Sequence, residues 1–157
     1  MSISAVPANL GPQLDRMAIE QLLARYPFLV DRQRFEELAS LFTPDGAMEG
    51  PVGAPGIGRA GIMEFFRHSA TKPVSRRAPK LMRHNVTSQR IDLIDDHHAS
   101  ADSYFLAMTD SGIDHWGRYR DAIDEVDGAW LIAKRLLVVD GYTVGSWWEQ
   151  NIEGAQS

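Results

Sequence analysis

Apolar residues return every three or four positions after Asp15: Met17, Ile19, Leu22, Leu23, Tyr26, then Leu29 or Val30. This is the rhythm of an amphipathic helix, whose last turn Pro27 should kink or shift. Asp31 then falls at or just beyond the helix end, where a carboxylate opposes the macrodipole and needs a specific partner elsewhere. A second helix is expected from Arg34 to Phe42, with Phe35, Leu38, Leu41 and Phe42 inward, ended by the turn Thr43-Pro44-Asp45-Gly46. Ala47, Met48 and Glu49 suit a short strand. The segment from Gly50 to Gly58 is rich in glycine and carries Pro51 and Pro55. With no GK[ST] after it and no dinucleotide-binding spacing, it reads as a plain loop and not as a phosphate cradle. Ile62, Phe65 and Phe66 predict a third helix from about Arg59 to Ala70.

From His84 onward the rhythm changes to two residues. Val86, Gln89, Ile91 and Leu93 lead to a turn at Asp95-Asp96, Ala99 to Met108 follows, and Asp110-Ser111-Gly112 turns again. His115 to Val126 runs to Asp127-Gly128, and Ala129 to Val139 closes the series. Three helices followed by four strands with short turns predict an α+β fold: helices on one face of a curved, mainly antiparallel sheet that encloses a pocket. The domain is expected to span residues 14–148, after an arm at 1–13 and before a tail at 149–157. The aromatic stretch from Gly141 to Trp148 could cap the pocket or form a subunit contact.

Composition narrows the function. At 157 residues there is room for one domain with a real core and none for a second. A net charge of −5 argues against nucleic acid as a partner, since phosphate binding relies on a basic surface. Lys72, Arg76, Arg77, Lys80 and Arg83 do cluster between Thr71 and Arg83; a solvated loop is the plain reading and an anion-attracting flap the functional one. With no cysteine, thiolate nucleophiles and thiolate metal sites are excluded. The first ten residues do not read as a signal peptide and no apolar run is long enough to span a membrane, so a cytoplasmic location is expected.

The candidate chemistry rests on Asp31 and His84. A histidine titrates near neutrality, and a carboxylate on one ring nitrogen fixes its tautomer and leaves the other as a base. A lone histidine opening a strand is more often structural, so the pair matters only if the two meet. His97-His98 beside Asp95-Asp96 resembles a metal cluster. Adjacent strand residues point to opposite faces, however, and both aspartates fall in a turn, so no metal is expected there. No nucleophile-elbow pattern supports acyl transfer.

The strings Val30-Asp31-Arg32-Gln33, Arg83-His84-Asn85-Val86-Thr87, Gly117-Arg118-Tyr119-Arg120-Asp121 and Asp127-Gly128-Ala129-Trp130, in this order and spacing, resemble the SnoaL-like branch of the nuclear-transport-factor-2-like superfamily. The likeness covers about residues 14 to 140. It implies a cone-shaped fold, and its functional comparisons are scytalone dehydratase and hexachlorocyclohexane dehydrochlorinase, both with an Asp–His pair that maps onto Asp31 and His84. His115 falls near the dehydratase's second pocket histidine. Val30 and Met48 stand where its water-binding tyrosines are expected, a departure from scytalone-type dehydration that leaves proton abstraction intact.

The resemblance implies a cofactor-independent lyase or isomerase acting on a small, hydrophobic, activated substrate. His84 and Asp31 would abstract the proton, with His115 or Tyr119 as hydrogen-bond donor, and Met48, Phe65, Met82, Phe105 and Trp116 as walls. Trp130 should pack the core. The alternative is a non-catalytic binding or structural module, such as a relative of the small subunit of aromatic-ring dioxygenases. Either way a homodimer or homotrimer is expected, and neither metal nor cofactor.

Overall fold

The computed structural model describes residues 10–51, 53–71 and 79–153. Most of the expected N-terminal arm, the segment with Lys72, Arg76 and Arg77, and the last four residues lie outside the described residues. Helix α1 (Gly11–Asp31) starts with Pro12 in its first turn, where the missing N–H costs nothing. It buries Ile19, Leu22, Leu23, Tyr26, Pro27 and Leu29, whereas Met17 lies off this face and is exposed. The helix runs through Pro27 and stops at Asp31 in a Schellman turn. Gln33 takes a positive φ of 54°, its N–H bonds Val30 O, and Arg34 N–H bonds Leu29 O.

Helix α2 (Phe35–Ser40) is shorter than the sequence predicts, because Phe42 opens strand β1 (Phe42–Glu49) instead of ending a helix. Leu41 and Phe42 are buried as expected, Leu41 as the C-cap of α2 and Phe42 in strand geometry. The Thr43-Pro44-Asp45-Gly46 turn is absorbed into β1 as an irregularity: Phe42 pairs with Ile132 and Ala47 with Lys134. The turn chemistry is local, while pairing is set by a strand some ninety residues away, which no window across the turn contains. Strand β2 (Gly56–Ile57) pairs with Ala47 and Met48, and α3 (Gly58–Thr71) follows it.

Strands β3 (Met82–Leu93), β4 (His98–Thr109), β5 (Gly112–Val126) and β6 (Ala129–Tyr142) form the antiparallel meander. The full sheet has the order β2-β1-β6-β5-β4-β3, with β1 parallel to β6. Asp127 and Gly128 both have positive φ, as a two-residue hairpin turn requires. The three-residue step from Val86 to Gln89 marks a bulge at Ser88 and Gln89, where Ser88 has a φ of 52°. Helix α1 lies on β3 and β6, and α3 on β1 and β2. Between helices and sheet sits the core, including Ile19, Leu38, Phe42, Ile62, Phe105, Ile123 and Ile132. Trp130 joins it and donates to Asp15 Oδ1 at 3.0 Å. A final helix, α4 (Trp147–Glu153), packs against β5. Among the described residues no helix is long and apolar enough to cross a membrane.

Candidate active site

Asp31 ends α1, and the Schellman turn directs the chain away while its carboxylate reaches β3. Oδ1 lies 2.7 Å from His84 Nδ1, and the His84 backbone N–H adds bonds of 3.3 and 3.2 Å to Oδ1 and Oδ2. The side chains are 6% and 10% exposed, so the pair is sheltered from water without being sealed. An ionised carboxylate only accepts, so Nδ1 carries the proton and Nε2 is left as the basic nitrogen. The partner demanded by the unfavourable end of the helix dipole is therefore His84.

A second pair faces the first. His115 Nδ1 is 2.8 Å from Asp114 Oδ2, and the two imidazole rings stand 5.9 Å apart between centroids, edge to face. Asp114 also accepts the backbone N–H groups of Trp147 at 2.8 Å and Trp148 at 3.2 Å. Burial holds the His115 imidazole below its usual range, and the nearby His84 adds to this against the pull of Asp114. For Asp114, burial pushes the carboxyl up, but the bonds from His115 and the two tryptophan amides prevail and hold it below its usual range. His115 is thus neutral near pH 7, with its proton on Nδ1. The Trp148 ring stacks on it at 4.6 Å.

Both histidines line a cavity of about 890 Å³ between helices and sheet, roomy enough for a small organic molecule. Tyr26, Phe35, Met48, Phe65, Phe66, Met82, Tyr119, Leu137, Trp147 and Trp148 form its walls. Arg32, Lys80, Arg83 and His68 also contribute, with Glu64 among them. Behind the two tyrosines, Arg135 and Asp121 form a buried two-pronged ion pair at 2.7 Å per bond. The guanidinium carbon lies 3.9 Å from the Tyr26 ring centre and 4.5 Å from that of Tyr119. Burial works against the charge on Arg135, but the Asp121 carboxylate outweighs it and the guanidinium stays charged. Burial pushes the Tyr26 phenol up to about 12. It drives Tyr119 well above the usual phenol range, with Tyr26 and then the charges of Asp121 and Asp31 on the same side against Arg135. Both phenols are therefore hydrogen-bond donors and not bases.

Of the residues singled out in the sequence, Asp31, His84, His115, Tyr119, Met48, Phe65 and Met82 all line this cavity. Phe105 and Trp116 do not. Phe105 is buried behind the wall, stacked on Tyr119 at 4.8 Å and 5.6 Å from His115. Trp116 follows His115 on β5, and strand alternation turns it to the outer face, where it is 39% exposed. His97 and His98 are absorbed locally: His98 and both backbone N–H groups bond Asp95, while the His97 ring bonds Glu125. Among the described residues no group of three or more His, Asp or Glu is placed to hold a metal ion. The sequence reading missed Asp114 and Tyr26 and left Trp148 without a partner. The capping pattern Ser146-x-x-Glu149 was the available signal, since it predicts a helix start at Trp147 and hence aromatic side chains on an ordered element.

Helices on the inner face of a curved sheet, with a cavity at its open end, define the nuclear-transport-factor-2-like superfamily. Within it, the chain belongs to the SnoaL-like domain family, which matches residues 13–136. A candidate scytalone dehydratase from Novosphingobium aromaticivorans is similar at 24% identity and a TM-score of 0.71, covering 85% of this chain and 89% of that one. A hexachlorocyclohexane dehydrochlorinase from Novosphingobium barchaimii is similar at 17% identity and a TM-score of 0.73, covering 85% and 92%. A structure from Catenulispora acidiphila reaches 30% identity and a TM-score of 0.69, covering 84% and 96%. No curated protein matches the chain. At such low identities the likeness to the two named enzymes shows the fold alone.

Proposed function

We propose that this protein is a cofactor-independent lyase or isomerase that abstracts a proton from a small, hydrophobic, activated substrate. The observation that carries the reading is the Asp31–His84 contact of 2.7 Å inside the cavity. A dehydratase candidate and a dehydrochlorinase among the similar structures point the same way. In this reading His84 Nε2 takes the proton and Asp31 stabilises the imidazolium that forms. Tyr119 donates to the negative charge that develops. The sequence left that role open between Tyr119 and His115; the Nδ1–H of His115 is taken by Asp114, which favours Tyr119 and leaves His115 Nε2 as a second acceptor. Met48, Phe65 and Met82 hold the apolar body, and Trp148 joins them in place of Phe105 and Trp116.

A positioned base contributes roughly 10²- to 10⁴-fold and an oxyanion donor about 10²- to 10³-fold. Together they suffice for a carbon already acidified by a carbonyl or a leaving group, so hydroxy-ketones, enones, polyketide-like aromatics and halogenated rings are the substrates to screen. On whichever is turned over, His84→Ala and Asp31→Asn should each lower kcat by about 10²- to 10⁴-fold with an unchanged denaturation midpoint. Full turnover by either folded variant would reject the dyad. Loss of binding without any turnover in the parent protein would favour a binding module.

We also propose that copies of the chain associate through the outer face of the sheet. Tyr104, Met108, Ile113 and Trp116 are each at least 39% exposed there, an apolar patch of the kind that marks contact surfaces.

A further inference from the structure

We infer that Asp114 is a positioning residue that couples docking of α4 over the cavity to the tautomer and orientation of His115. The inference rests on the cavity being an active site for its importance, but its geometry stands apart from the Asp31–His84 dyad.

The coupling begins with an irregular strand. On β4 the neighbours Ala107 and Met108 pair with His115 and Ile113, so Asp114 is an extra residue of β5 with no partner on β4. In a regular strand residues 114 and 115 would face opposite sides of the sheet; the bulge lets both side chains be buried, at 2% and 3% exposure, with the carboxylate against the imidazole. The same carboxylate takes the first two N–H groups of α4, those of Trp147 and Trp148. Ser146 Oγ takes the third, from Glu149, at 3.1 Å, and the fourth, from Gln150, returns to Ser146 O at 3.3 Å. Every amide in the first turn is thereby satisfied, two of them by Asp114 alone.

The helix in turn acts on the histidine. It supplies two of the three donors that hold the carboxylate, and the Trp148 ring that covers the imidazole. When α4 leaves, Asp114 loses its anchors and His115 loses both its stacking face and a fixed acceptor, so Nδ1–H and Nε2–H forms become comparable. With α4 docked, only the Nδ1–H form is supported and Nε2 is an acceptor. Because Trp147, Trp148 and Ile152 line the cavity, any ligand passage that displaces them resets His115.

The test uses the full-length protein without substrate, reading His115 tautomer by ¹⁵N NMR and the Trp147 and Trp148 amides by hydrogen exchange. The parent chain should show Nδ1–H at His115 and protected amides. Asp114→Asn should speed exchange of both amides at least tenfold and give mixed tautomers at His115. Trp148→Ala leaves Asp114 intact and loosens the helix from the other side. It should shift the His115 tautomer as well, by the reciprocity any coupling requires. Faster exchange at Trp147 in Trp148→Ala with an unchanged tautomer overturns the coupling, even if Asp114→Asn does not fold. So does an Asp114→Asn protein with parental exchange and tautomer. Neither readout uses turnover, so failure here leaves the dyad reading standing, and failure of the dyad leaves this one.

Discussion

His84 and His115 carry the same side chain and the same kind of partner, yet their surroundings divide their behaviour. The carboxylate of Asp31 comes from a helix end fifty residues upstream, while that of Asp114 is the preceding residue of the same strand. The deeper burial of His115 has a consequence for stability. Its folded imidazole protonates below the usual 6.5, so the unfolded chain binds that proton first as pH falls. Stability from this residue is full above about pH 6.5 and is lost as pH falls toward the folded-state value. Asp114, also held low, acts in the same sense further down: its contribution is present above the ordinary carboxylate range and lost as pH falls through its folded value. His97 has the opposite sign, being raised by its bond to the Glu125 carboxylate, but it is exposed and screened. The urea midpoint should therefore drop as pH falls below about 6.5, and His115→Gln should flatten that drop.

At the scale of elements, the sheet approaches itself closely beside the site. A Cβ on Gly117 would lie 1.9 Å from Val138 O and 3.0 Å from Phe105 Cε1, so only glycine fits where β5 meets the irregularity in β6. Gly117→Ala should cost about 1–3 kcal/mol, read from the denaturation midpoint, because backbone must move. The Asp121–Arg135 pair joins the same two strands in register beneath Tyr26 and Tyr119. Asp121→Asn strands a buried guanidinium and should destabilise by roughly 3–5 kcal/mol, more than loss of any exposed ion pair such as Arg118–Asp140.

For the whole molecule, the two faces of the sheet have different tasks. The inner face is covered by helices and holds the cavity; the outer face presents the tyrosine, tryptophan and methionine patch. If copies associate there, light scattering after size exclusion should give a dimer or trimer. Tyr104→Asp, on a side chain 57% exposed, should shift it to monomer without changing the fold. A parent chain that is monomeric at high concentration would refute self-association through this face.

The sequence by itself determined what depends on neighbours in the chain. The α1 stripe, the alternation of β4 and β5, the Asp127-Gly128 hairpin and the α+β order are all periodicities or turn chemistries visible within a short window. Even the need of Asp31 for a partner follows from its place at a helix end. Only the tertiary structure decided what depends on pairing across the chain. β1 became a full strand because β6 lies parallel to it, which overrode the turn at Thr43-Pro44-Asp45-Gly46. Trp116 left the predicted walls because its place on β5 turns it to the outer face, and Phe105, on the inner face, because Tyr119 stacks over it. Asp114 entered because a single unpaired residue turned its carboxylate inward. A bulge is a mismatch between two strands, so neither strand's sequence alone contains it.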